Sequence, residues 1–237
     1  MSAIPQRRAK HIGIIGSSGE AATLCYRAIG VEAASAMAEY VHPEVSLHNH
    51  VPVDYVRLVR EQNWEGVAQL LLSSAEKLAR AGAQVLICPD DTVHRAFSLL
   101  EARSPVPCLD SAAEVAREAC ARGYRSLAFL GTRVALESPL YAQQLKLANI
   151  EHRAPSLEEG SEIDAIIAGE LRHGKLTARS RQRIGELVAR LASDQRCDAL
   201  VLGCTELSLI LAWDRAPLPV IDSTRLLARA ALRAALE

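Results

Sequence analysis

The chain has 237 residues, 49% of them hydrophobic and 4% aromatic, with a formal net charge of −1. That length suits two small lobes or one large α/β domain with a real core; no apolar run approaches the roughly 18–20 residues that span a bilayer. Near-neutral charge without a basic run argues against a nucleic-acid surface, and six cysteines with no CxxC pair indicate neither a zinc site nor a disulfide framework.

Residues 1–10 carry charge, and the apolar stretch after them stops at Gly16, too short and too Gly/Ser-broken for a signal peptide. A reducing cytoplasm is therefore the expected compartment, with thiols free to act as acids or bases. Runs of apolar and β-branched residues predict strands near 11–16, 45–50, 84–88 and 106–109, then near 125–130, 148–152, 198–202 and 218–221. Amphipathic stretches of helical period lie between them, for example 64–81 and 180–192. Strands alternating with helices mean βαβ units and parallel sheets. Residues 111–122 and 223–236 each follow an Asp-Ser pair that can cap a helix. No Gly/Ser- or Pro-rich linker is present, so two lobes should pack closely.

The halves are built alike. Gly16-Ser17 corresponds to Gly131-Thr132, the end of the 84–88 strand with Asp90 to the end of the 198–202 strand with Cys204, and Asp110-Ser111 to Asp222-Ser223. All three pairs keep the same order and nearly the same spacing. An internal duplication predicts an α/β fold of two pseudo-symmetric lobes, each a mainly parallel four-stranded sheet flanked by helices. The expected boundaries are 1–110 plus 223–237 for the first lobe and 111–222 for the second. Ligands of parallel sheets gather beyond the carboxyl ends of the strands, which places the active site in a cleft between the lobes.

Cys204 and Asp90 are the first reactive side chains past their strands. Cys204 follows Gly203 and precedes Thr205-Glu206, where a helix can begin; a thiol there is expected to have a lowered pKa. Cys25, Cys108, Cys120 and Cys197 read as small buried hydrophobes. Asp90 is either a helix cap or a group pointing into the cleft, and in the second case Asp91 is the cap. His94 can orient a carboxylate or a substrate oxygen, or be structural. Ser17 and Ser18, with Thr92, Thr132 and Thr205 at other strand ends, offer amides and hydroxyls to a carboxylate. Gly13-Ile14-Ile15-Gly16-Ser17-Ser18-Gly19 is G-x-x-G-x-x-G rather than the dinucleotide pattern, and no acidic residue closes the second strand. His48 and His50 share a strand face without a third ligand nearby, so no metal is assigned and His50 reads as a polar contact at the cleft rim.

These motifs resemble the aspartate/glutamate racemase superfamily, which also includes hydantoin racemases, maleate isomerases and arylmalonate decarboxylases. The marks are Gly16-Ser17-Ser18, Asp90-Asp91-Thr92-Val93-His94, Leu130-Gly131-Thr132, Gly203-Cys204-Thr205-Glu206 and Asp222-Ser223-Thr224. The resemblance implies cofactor-free proton transfer between two groups on opposite faces of a substrate Cα, a small amino or carboxylic acid as partner, and a homodimer. Two family positions differ: Asp90 stands where the family has its first cysteine, and Asp91 where it has an asparagine. Members acting on acidic substrates tend to have a lysine before the helix holding Ile163-Asp164-Ala165-Ile166-Ile167, and Glu162 stands there. It would repel a distal substrate carboxylate.

Three functions remain open at this level. The leading one is a cofactor-independent racemase or epimerase using Asp90 and Cys204. The others are a lyase, decarboxylase or isomerase using Cys204 alone, and a binding protein that has lost catalysis.

Overall fold

The computed structural model describes residues 9–37, 42–193, 195–210 and 216–237, so most of the charged stretch 1–10 lies outside the described residues. The first half runs β1 (Ile12–Gly16), α1 (Gly19–Ala36), β2 (Val45–Asn49), α2 (Pro52–Arg60), α3 (Trp64–Arg80), β3 (Val85–Ile87), a 3-10 turn (Val93–Ala96), α4 (Phe97–Glu101) and β4 (Cys108–Leu109). The second half begins with α5 (Ser111–Arg122), β5 (Ser126–Gly131), α6 (Arg133–Leu136), α7 (Pro139–Leu147) and β6 (Glu151–Arg153). It continues with α8 (Leu157–Gly169), a 3-10 turn (Leu171–His173), α9 (Ala178–Ser193), β7 (Ala199–Gly203), α10 (Thr205–Ile210), β8 (Val220–Asp222) and α11 (Ser223–Leu236).

Two four-stranded parallel sheets result, ordered β2-β1-β3-β4 and β6-β5-β7-β8. The repeated order bears out the duplicated α/β architecture. Central strands β1, β5 and β7 are buried at every residue, which requires their continuous apolar runs, whereas edge strands β2 and β6 are partly exposed.

Three strands start later than periodicity predicts, for local reasons. Pro107 and Pro219 precede β4 and β8. Their carbonyls accept from Leu86 and Leu200, but they have no N–H to extend the ladder. Asn149, at φ 55°, turns the chain after α7 and delays β6 to Glu151.

Each sheet is covered on both faces. In the first, Ile15 and Leu86 pack against Val67, Leu71 and Phe97, while Ile12, Ile14 and Ile87 face Cys25 and Ile29 of α1. The C-terminal α11 returns to this same layer through Leu227, Ala228, Ala231 and Ala235. In the second sheet, Leu130 and Leu200 pack on Ile163, Ile184 and Leu187, and Phe129 and Val201 on Val115, Tyr141 and Leu145. Asp110 and Asp222 cap α5 and α11 as their sequence position predicts. No helix among the described residues is long and apolar enough to cross a membrane.

Candidate active site

In the order 2-1-3-4, the connections from β1 and β3 leave in opposite directions, which opens a crevice between the carboxyl ends of those two strands. Ser17 follows β1 and Asp90 lies beyond β3, and the Ser17 hydroxyl donates to Asp90 Oδ2 at 2.5 Å across that crevice. Asp90 Oδ1 accepts from the Thr92 amide at 3.0 Å. The equivalent crevice of the second sheet holds Thr132 after β5 and Cys204 after β7. Thr92 Oγ1 lies 3.3 Å from Thr132 Oγ1, which brings the strand ends of the two sheets together. Gly131 and Gly203 permit close packing of β5 on β7: a Cβ on Gly131 would lie 2.8 Å from the Gly203 carbonyl oxygen.

Cys204 is buried and its Sγ–H donates to Glu206 Oε2 at 2.9 Å. Burial, then the charge and hydrogen bond of Glu206, push this thiol well above the ordinary range, against smaller opposite effects from the Glu206 and Leu207 backbone amides. The expected lowering at the start of α10 is thus overturned, because desolvation and an adjacent carboxylate outweigh the helix-end amides. The protonated thiol is the favoured form in this environment. Arg172, in the 3-10 turn after α8, stands 3.7 Å from Glu206 Oε1 and is a cation on this side of the site.

Of the two aspartates, Asp90 and not Asp91 makes the capping bond. Asp90 bonds the Thr92 amide and so caps its own turn, whereas Asp91 turns inward. Its Oδ1 accepts from the Tyr141 hydroxyl and its Oδ2 bonds Ser223, both at 2.8 Å. Both oxygens bond the protein and the residue is buried, so Asp91 ties its turn to α7 and α11. His94 is likewise internal: Nε2 donates to the Cys88 carbonyl at 2.7 Å, and the ring stacks on Phe97.

Ser18 caps α1 by accepting from the Ala21 amide, and Thr132 caps α6 by accepting from Ala135. Thr205 Oγ1 lies 3.4 Å from Thr224 Oγ1. Glu162 is not brought to the site. It is exposed on α8 and accepts from Arg183 of α9 at 2.8 Å, beside the groove between those helices. Cys25, Cys108 and Cys197 are buried as expected, but Cys120 is exposed, on the outer face of α5.

His50 follows β2, its ring 4.7 Å from that of His48, and burial lowers the pKa of both. The Nε2 of His50 and Oδ1 of Asn49 are buried without a hydrogen-bond partner. Among the described residues no three His, Cys, Asp or Glu side chains are grouped to hold a metal.

Sequence reasoning missed Tyr141, Ser111, Ser223, Asn49 and Arg172. A signal for two of them existed. Ser111 and Ser223 are the serines of the duplicated Asp-Ser pairs, and both feed hydrogen bonds toward Asp91, Ser111 through Tyr141 at 3.1 Å.

Residues 12–231 match the family model described as Asp/Glu/Hydantoin racemase. The chain belongs to that family. It is 24% identical over 161 residues to the broad specificity amino-acid racemase RacX of Bacillus subtilis (strain 168), covering 67% of this chain and 68% of RacX. Its fold resembles that of a candidate Asp/Glu racemase from Yersinia pestis (TM-score 0.88, 28% identity, 96% of this chain and 100% of the other). It also resembles PH1733, an aspartate racemase homologue from Pyrococcus horikoshii OT3 (TM-score 0.85, 28% identity, the same coverage).

Proposed function

We propose that the protein racemises or epimerises a small amino acid without a cofactor, by moving the α-proton between Asp90 and Cys204. The observation that carries this reading is the opposed chemistry of two equivalent strand ends. Asp90 is positioned by two donors, an arrangement that suits a carboxylate base, while Cys204 is kept as a thiol that can give a proton.

In the direction that starts from this resting pair, Asp90 takes the α-proton from one face of the substrate. Cys204 delivers its own proton to the other face, leaving a carboxylic acid and a thiolate. The substrate carboxylate, held among the strand-end amides of Ser17, Thr132 and Thr205, spreads the charge that develops. The thiolate formed beside Glu206 is disfavoured by that neighbour, and Arg172 offsets part of the repulsion. Return to the resting pair moves a proton from Asp90 to Cys204 through solvent. The opposite direction begins from the rarer pair, so kcat and KM differ between enantiomers while kcat/KM is the same for both, since the equilibrium constant between them is one.

At the end of β2, the neutral imidazole of His50 and the unpartnered Asn49 Oδ1 suit an uncharged polar group on the substrate better than a distal carboxylate. Activity is therefore expected first among neutral L- and D-amino acids.

The test is NMR in deuterated buffer over a panel of L- and D-amino acids. Expected is replacement of the α-proton by deuterium with the constitution of the substrate unchanged. Cys204→Ser and Asp90→Asn should each slow this by about 10²-fold or more. Exchange unaffected by both substitutions overturns the two-base reading, and a product of altered constitution assigns a lyase or decarboxylase using Cys204 alone.

A further inference from the structure

We infer that Asp91 is held as the neutral carboxylic acid at neutral pH, a proton-bearing tie between the turn that carries Asp90 and strand β7, which leads into Cys204. The inference rests on the site proposed above for its consequence, but its proton count is independent of the reaction.

The count starts at Ser223. Its hydroxyl lies 2.8 Å from Asp91 Oδ2 and 2.8 Å from the Leu202 carbonyl oxygen. A hydroxyl has one proton, and a carbonyl only accepts. If that proton goes to Leu202, Asp91 Oδ2 must supply one to Ser223. If it goes to Asp91, the Ser223 and Leu202 oxygens face each other in a buried site with no proton between them, where an unmade hydrogen bond is not replaced by water.

On the other side of the carboxyl, Tyr141 donates to Oδ1, and Ser111 is 3.1 Å from the Tyr141 hydroxyl. One orientation gives every contact a proton: Ser111 donates to Tyr141, Tyr141 to Oδ1, Oδ2 to Ser223, and Ser223 to Leu202. That orientation requires the acid.

The charges around Asp91 divide: His94 lowers its pKa and Asp90 raises it. The titratable groups facing it are His94 and Asp90 from its own turn, Cys88 just before that turn and Tyr141 from α7, while Ser223 of α11 and Gly203 of β7 are uncharged. The His94 contact with the Cys88 carbonyl is made whatever the state of Asp91, and the charge of Asp90 opposes a second anion beside it. With a residue exposure of 7%, burial is the largest effect on Asp91 and the net shift is upward, against the lowering effects of His94 and of the Tyr141 and Ser223 hydrogen bonds. Asp91 is then a positioning residue that fixes the turn carrying Asp90 against the strand that leads to Cys204.

The experiment is carbon NMR of the whole protein with side-chain-labelled aspartate, alongside kinetics. Expected is one aspartate carboxyl that remains in its acid form at neutral pH and is lost in Asp91→Asn. If that chain does not fold, a shift of the same resonance in Tyr141→Phe assigns it. Because asparagine places an N–H donor toward Ser223 and keeps an acceptor for Tyr141, Asp91→Asn should recover at least about tenfold of the kcat lost in Asp91→Ala, the scale expected when a catalytic group is misplaced. An Asp91 carboxyl already ionised at neutral pH, or an asparagine variant no better than alanine, overturns the inference. The spectrum answers the question even for a protein that racemises nothing in the panel, so its failure is distinguishable from failure of the proposed activity.

Discussion

At Gly131 the absence of a side chain is a packing requirement, since a Cβ there would meet the Gly203 carbonyl oxygen at 2.8 Å and backbone cannot step aside as a flexible side chain can. Gly131→Ala is therefore expected to cost about 1–3 kcal/mol. The loss is read as a lower urea midpoint at unchanged slope, and an unchanged midpoint would show that β5 and β7 tolerate a wider spacing. Burial likewise governs the chemistry at Cys204. Two backbone amides pull its pKa down, but burial and Glu206 together prevail, so position at a helix start does not by itself make a reactive thiolate.

Among the elements, the two capped helices allow a controlled comparison. Asp222 caps α11 by accepting from the Arg225 amide at 3.0 Å, and Asp222→Ala should cost about 1 kcal/mol. Asp110 caps α5 through the Ala112 amide at 2.8 Å. It also accepts from Gln144 of α7 at 3.1 Å and lies 4.0 Å from His94 Nδ1. Asp110→Ala should therefore cost nearer about 2 kcal/mol, the upper end for a lost cap. Urea denaturation of the two variants side by side measures the difference, and equal losses would mean that the Gln144 bond contributes nothing. The strands carry a parallel lesson: prolines just before β4 and β8 shorten both by the same means, so the duplication extends to how its elements begin.

Across the whole molecule, Asp91 joins parts that the sequence keeps far apart: the turn after β3, α7 and the start of α11. Burial raises its pKa, so the native state holds a proton that the unfolded chain releases. The contribution of Asp91 to stability is then full below the ordinary carboxylate pKa and is lost as pH rises from there through the raised value. The fall amounts to about 1.4 kcal/mol for each tenfold difference in proton affinity between the folded and unfolded states. Asp91→Asn has no such proton to lose, and its stability should be flatter over the same range. Denaturant titrations in a buffer series compare the two slopes, and identical slopes would remove Asp91 from the balance.

The order of strands and helices, the duplication and the correspondence of Asp90 with Cys204 were legible in the chain itself. They rest on local physics: apolar runs for buried strands, helical periodicity, Asp-Ser caps, and the rule that parallel sheets present their turns at one end. Tertiary structure decided protonation and partnership. Asp90 and Asp91 are neighbours of identical composition, yet one is held by Ser17 and the Thr92 amide and the other by Tyr141 and Ser223. Glu162 is exposed and pairs with Arg183 between α8 and α9, while Arg172 lies beside Glu206. Burial and distant hydrogen-bond partners set a carboxyl or a thiol to its charge state, and both depend on which residues the fold brings together from remote parts of the sequence.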